Sequence, residues 1–227
     1  MKNNKSASKQ EVTQNIDVQQ REDTSKKVAL NLGKIKIKDV MHPDNVGKEL
    51  VLDVKKDGKS YIFYGEPDNR APTVEFRHVL APGGAGPEPH IHTKQTETFH
   101  IISGIMVASL KGQKDVRLGP GEMIDVPPGI VHSFTNGSKE EPLVLRIVIE
   151  PALDFQWFMT EAIKSGIRNG GSQKDMPLLE AGHLMWLSRD QQRIGGMPYV
   201  MQDILFGILS LFARITGSAK NISTKPQ

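Results

Sequence analysis

Between Val28 and Val148 the apolar positions fall into short runs with turn formers between them. The runs ELVLDV (49–54), SYIFYG (60–65), TVEFRHVL (73–80), TETFHIIS (96–103), GIMVASL (104–110) and LVLRIVIE (143–150) have the length and β-branched or aromatic content of strands. KKDGK, EPDNRAP, APGGAGPEP, LKGQKD, RLGPGE and TNGSKEEP separate them, each rich in the Gly, Pro, Asn or Asp that turns require. Many short strands at close spacing predict a β-sandwich or barrel. Alternation assigns faces. Glu97, Phe99 and Ile101 share one side of their strand, Thr98, His100 and Ile102 the other, and His78 shares a face with Phe76 and Leu80.

After Pro151 the period changes. Phe155, Phe158, Met159 and Ile163 recur at helical spacing, and Gly170 supplies a stop. A second helical stretch runs through PLLEAGHLMWLSRDQQR, and a third starts at Pro198 and runs to Gly217. The first 27 residues are rich in Lys, Gln, Asn and Ser and cannot bury enough apolar surface to order themselves. The expected plan is a disordered polar tail (1–27), a β-barrel (28–150), a helical extension (151–217) and a flexible C-terminus (218–227).

Composition narrows the function. The 227 residues hold 29 Lys and Arg against 26 Asp and Glu, with no basic block dense enough to track a phosphate backbone, so nucleic acid is not an expected partner. There is no cysteine, which removes disulfides, thiolate metal sites and thiol nucleophiles. The N-terminal segment has no apolar core of a secretory signal, and a cytoplasmic location is expected. The most apolar run, Ile204 to Ala213, is too short to cross a bilayer. The last helix carries Val200, Ile204, Leu205, Ile208, Leu209, Phe212 and Ile215 as a broad apolar stripe. This suits packing on the barrel or in a homodimer better than membrane-surface contact through residues 198–217, because its polar side lacks a Lys/Arg array.

Chemistry concentrates in two segments. In GAGPEPHIHTKQTETFHIISG, His90 and His92 point the same way along a strand, and Glu97 can join them if the chain turns at residues 93–96. In GEMIDVPPGIVHSFTNGS, a Pro-Pro-Gly turn launches a strand that carries His132 and Phe134 on one face. Three imidazoles and a carboxylate suit a divalent transition metal better than magnesium or calcium, and they leave coordination positions open.

These segments resemble the two cupin motifs. The first fits G-x5-H-x-H-x4-E-x6-G from Gly84 to Gly104. The second fits G-x5-P-x-G-x2-H-x3-N from Gly121 to Asn136, separated from the first by sixteen residues. The resemblance implies an all-β core, a double-stranded β-helix or jelly roll, whose metal ligands fall on His90, His92, Glu97 and His132. Fe(II) or Mn(II) leads among the metals, with Zn, Ni or Co as alternatives. Phe99, Ile101, Phe134, His78 and Gln95 are the candidate pocket residues, and Glu97 doubles as candidate catalytic base. No other cofactor site is expected. The implied activity is that of a metal-dependent enzyme on a small organic molecule, oxidative and dioxygenase-like before isomerase-like. A non-catalytic small-molecule binder or sensor is the alternative, since the fold hosts many chemistries. A homodimer is expected, because jelly rolls have sheet edges and faces to cover.

Overall fold

The structure is a computed structural model and describes residues 49–226 apart from 66 and 69; the expected polar tail (1–27) and the start of the expected barrel (28–48) lie outside the described residues. Ten strands precede the helices: β1 (Glu49–Val54), β2 (Lys59–Tyr64), β3 (Val74–Leu80), β4 (His90–His92), β5 (Thr96–Ser103), β6 (Met106–Leu110), β7 (Val116–Leu118), β8 (Met123–Val126), β9 (His132–Asn136) and β10 (Leu143–Glu150). Then come α1 (Phe155–Asn169), α2 (Leu178–Leu187), a short strand β11 (Gln192–Ile194) and α3 (Tyr199–Thr216). All strand pairings are antiparallel and form two sheets, β1-β2-β3-β10-β5-β8 and β11-β4-β9-β6-β7. This is the expected jelly roll, extended by helices.

Strict alternation builds the core between the sheets. In β3 the residues Val74, Phe76, His78 and Leu80 are buried, and in β5 the buried set is Glu97, Phe99, Ile101 and Ser103. Tyr61, Phe63, Phe99, Ile101, Leu145, Ile147 and Ile149 are among the largest side chains wholly removed from water. A second, smaller cluster joins Trp157 of α1, Leu184 of α2 and Ile222.

The turn that ends the first motif depends on glycine at Gly104. Its φ is +81°, and a Cβ there would collide with the Pro142 carbonyl oxygen and lie 2.8 Å from Leu143 Cα, both backbone positions that cannot yield. Gly104→Ala is expected to destabilise the protein by about 3 kcal/mol through backbone strain and overpacking. Urea denaturation checks this, and an unchanged midpoint would contradict it.

Beyond Pro151 three expectations need revision. The second helical stretch stops at Leu187, and Gln192–Ile194 form strand β11 against β4. Backbone hydrogen bonds to the ligand strand outweigh local helix propensity there. The expected flexible C-terminus is docked instead. Residues Ser218–Asn221 form a 3-10 turn, Ile222 is buried, and Ser223 N–H donates to Glu161 Oε2 at 2.8 Å. Finally, the run Ile204 to Ala213, too short by itself to cross a bilayer, is only part of a longer helix. The helix that forms, α3, has 18 residues with a mean hydropathy of 1.3, enough by length and composition to cross a membrane.

Candidate metal centre

The site is assembled from three strands. His90 and His92 come from β4, His132 from its neighbour β9, where it is directly opposite His90, and Glu97 from β5 in the other sheet. A turn at residues 93–95 carries the chain between sheets and reverses the parity, so Glu97 faces the two histidines. One ring nitrogen from each histidine and one Glu97 oxygen lie within 4.8 Å of one another. Glu97 Oε2 is 2.8 Å from His132 Nε2, 3.1 Å from His92 Nε2 and 4.0 Å from His90 Nε2. His92, Glu97 and His132 are buried, whereas a fifth of the His90 side chain is exposed. Solvent therefore reaches the cluster on the His90 side.

The outer nitrogens decide the chemistry. His90 Nδ1 is 3.0 Å from the Glu88 carbonyl oxygen, and His132 Nδ1 is 3.0 Å from that of Ile130. A carbonyl only accepts, so each Nδ1 carries the hydrogen, and in the neutral ring Nε2 presents a lone pair. A lone pair at 2.8 Å from a carboxylate oxygen is repulsive unless a cation stands between them. Either His132 is protonated, or one ion serves all four groups. Holding the outer N–H to an acceptor is also how metal-bound histidines are oriented. His92 Nδ1 is buried and has no hydrogen-bond partner among the described residues.

Electrostatics without an ion follow from the same contacts. Burial alone would raise the Glu97 carboxyl, but the charges and hydrogen bonds of His92 and His132 hold it well below the usual carboxylate range. For His132 burial works downward and Glu97 upward, and the net shift is upward. His90 is pushed down to about 3 by burial, with His132 and His92 adding to the effect. The four groups thus form a preset negative point ringed by imidazoles, a donor set that fits a divalent transition metal.

The candidate pocket residues sit at two depths. Phe99 and Phe134 pack together at 5.1 Å between ring centroids, and Phe99 meets the His132 ring at 6.4 Å. They form the floor beneath the cluster. Ile101 and His78 lie deeper, flanking Leu145 of β10 in register on either side. His78 stacks on Tyr61 at 4.1 Å and donates Nδ1–H to the Ser60 carbonyl at 3.1 Å. Gln95 is fully buried. It donates to the Pro151 and Ala152 carbonyls and accepts from Gln192 Nε2, so the structure spends its amide on holding the turn between the ligand strands.

Sequence reasoning missed two supports. Phe155, the first residue of α1, lies edge-on to the His92 ring at 5.6 Å. The segment 190–192 clamps the ligand turn: Thr93 N–H donates to the Gln191 carbonyl at 2.9 Å, and Lys94 pairs with Asp190 at 2.9 Å. No local spacing in the sequence marks these long-range contacts.

His78 also carries a pH signature. Burial pushes its pKa down to about 3, against 6.5 when unfolded. Below pH 6.5 the unfolded chain therefore binds a proton that folded His78 refuses, and stability falls as pH drops from 6.5 towards 3. At pH 4.5 this single group costs up to about 2.7 kcal/mol. His78→Leu is expected to remove most of that part of the acid sensitivity. Urea midpoints at pH 7.5 and 4.5 for both proteins check it, and equal acid losses would contradict it.

Comparison with known proteins agrees with the fold. Residues 76–150 match the family described as "Cupin domain", a span that includes all four clustered residues and the sheet-to-sheet turn. The chain contains a cupin domain, and its two-sheet core is a cupin jelly roll. Among curated proteins, it is 33% identical over 101 residues to "Probable oxidoreductase virH" of Hypocrea virens, covering 42% of this chain and 46% of that protein. It is 32% identical over 79 residues to "Germin-like protein subfamily T member 3" of Arabidopsis thaliana, covering 33% and 34% respectively. The chain thus matches less than half the length of either relative. Among solved structures, KdgF from a Halomonas species aligns with a TM-score of 0.40 and 19% identity over 47% of this chain and 90% of that one. The Streptomyces nucleoside dehydratase Pac13 aligns with a TM-score of 0.39 and 20% identity over 49% and 82%.

Proposed function

We propose that the protein is a metal-dependent enzyme acting on a small organic molecule, with an oxidative, dioxygenase-type reaction as the leading reading. The observation that carries it is the convergence of three imidazole nitrogens and one carboxylate oxygen within 4.8 Å. In this reading His90, His92, Glu97 and His132 hold Fe(II) or Mn(II), and the same donors accept Zn, Ni or Co. Such an ion, when bound, supplies a Lewis acid with open positions for a chelating substrate and dioxygen.

The chain's own residues supply the rest. Substrate enters past His90, the least buried member of the cluster. Phe99 and Phe134 form an apolar floor, and Ile101 backs them, so water is excluded beneath the four side chains. Glu97 stays anionic through neutral pH and presents Oε2 at the point of convergence. It is the group placed to take a proton from an acidic substrate hydroxyl. The curated relative named as a probable oxidoreductase supports the oxidative direction.

Oxygen uptake across a panel of catechols, thiols, diketones and flavonoids tests the proposal. Uptake with at least one class is expected, lost in His92→Ala. No uptake with any class, from protein carrying iron or manganese, would favour an isomerase or a non-catalytic sensor and overturn the oxidative reading.

A further inference from the structure

Among the described residues, the last helix leaves a face without a partner. One side of α3 is packed inward through Gln202, Phe206, Ser210 and Ala213, and His183 of α2 meets Ser210 at 2.8 Å. The opposite side carries eight apolar residues between Val200 and Ile215, each 41–71% exposed. At about 100° per residue they fill a continuous arc of roughly 140° with no polar residue in it. Within the arc, Met201, Leu205, Ile208, Phe212 and Ile215 follow one another at steps of four, three, four and three. That is the a/d seam of a helix that packs against another helix.

We infer that this face is the interface with a second copy of the chain, α3 against α3 across a twofold axis passing near Ile208, the middle of the seam. Area supports the choice. Eight side chains with on the order of 100 Å² exposed each give about 800 Å², the share one partner contributes to a standard stable interface. That exceeds the roughly 300–600 Å² of the largest patch on a typical monomer. A twofold pair also needs only one self-complementary surface, which a regular apolar seam provides.

A bilayer fits the face less well. The helix carries only Asp203 and Arg214 as charges, so it has no basic rim for anionic headgroups. Nor can it swing out to span. Gln202 accepts from Ile194 N–H at 3.0 Å and donates to the Ile194 and Met197 carbonyls at 2.9 and 2.8 Å, while Arg193 pairs with Asp203 at 2.6 Å. These bonds tie α3 to β11 along the barrel side.

The test uses the full chain in sedimentation velocity and light scattering. Wild type is expected at twice the 25.1 kDa chain mass, and Ile204→Glu with Ile208→Glu at the chain mass itself, with an unchanged circular dichroism spectrum. The weakening of self-association should be at least about 100-fold. Because the chain has no cysteine, Ile208→Cys gives an independent reading: mild oxidation should produce a covalent dimer, whereas Ser133→Cys, on the barrel, should not. A dimer that survives the double substitution and gives no Ile208→Cys cross-link would overturn the inference. So would a wild-type monomer, whether its seam binds phosphatidylcholine–phosphatidylglycerol vesicles or is shielded by residues 1–48 from maleimide labelling of Ile208→Cys.

Discussion

Glu97→Gln is expected to weaken binding of Mn(II) or Co(II) by at least about 100-fold, or about 2.7 kcal/mol, in calorimetric titration. The substitution keeps the shape of the side chain and removes its charge. In the wild type Glu97 Oε2 is the one anionic atom among three imidazoles, and it offsets the charge of an ion in a buried place. The variant should still fold. His132 presents a lone pair at Nε2 once its Nδ1–H is donated to Ile130, and the glutamine amide can donate to that lone pair. Lost metal affinity with a preserved fold is therefore the expected pairing. Equal affinity in the two proteins would mean that the ion, if bound, sits elsewhere.

The second large effect is structural. Phe99→Ala is expected to cost about 3–5 kcal/mol in urea denaturation, the range for emptying a large aromatic site in a core. Phe99 is almost wholly buried, packs on Phe134 at 5.1 Å and supports the His132 ring at 6.4 Å. The walls are strands fixed by their ladders, between β10 on one side and β8 on the other, so the space cannot simply collapse. The same variant should also bind metal more weakly, because His132 loses the ring beneath it. A cost under about 1 kcal/mol would show that the floor is far more compliant than close packing implies.

Much of the site was legible in the sequence because its information is local. The H-x-H spacing sets His90 and His92 on one face of a strand, where their ring nitrogens converge, and the alternation of β5 sends Glu97, Phe99 and Ile101 inward together, as its burial pattern shows. His132 and Phe134 follow the same rule on β9. The six strands read from apolar runs are all present, while Val116–Leu118 and Met123–Val126 are too short and too polar to stand out. Strand β11 was illegible for another reason. Gln192, Arg193 and Ile194 have no strand pattern of their own and become a strand only because β4 offers its edge. Gln95 reads as a loop residue for the same cause: its burial is created by Pro151, Ala152 and Gln192, all distant in sequence. The C-terminus looked flexible by composition, yet Ile222 finds a place between Trp157 and Leu184.

Whether four side chains share one ion is read directly by elemental analysis of tag-free protein purified without added metal. The expectation is about one transition-metal ion per chain in the wild type, iron or manganese foremost, and almost none in His132→Ala with the fold retained. Wild-type protein without stoichiometric metal that also binds none on titration, or a His132→Ala variant with undiminished metal, would contradict it.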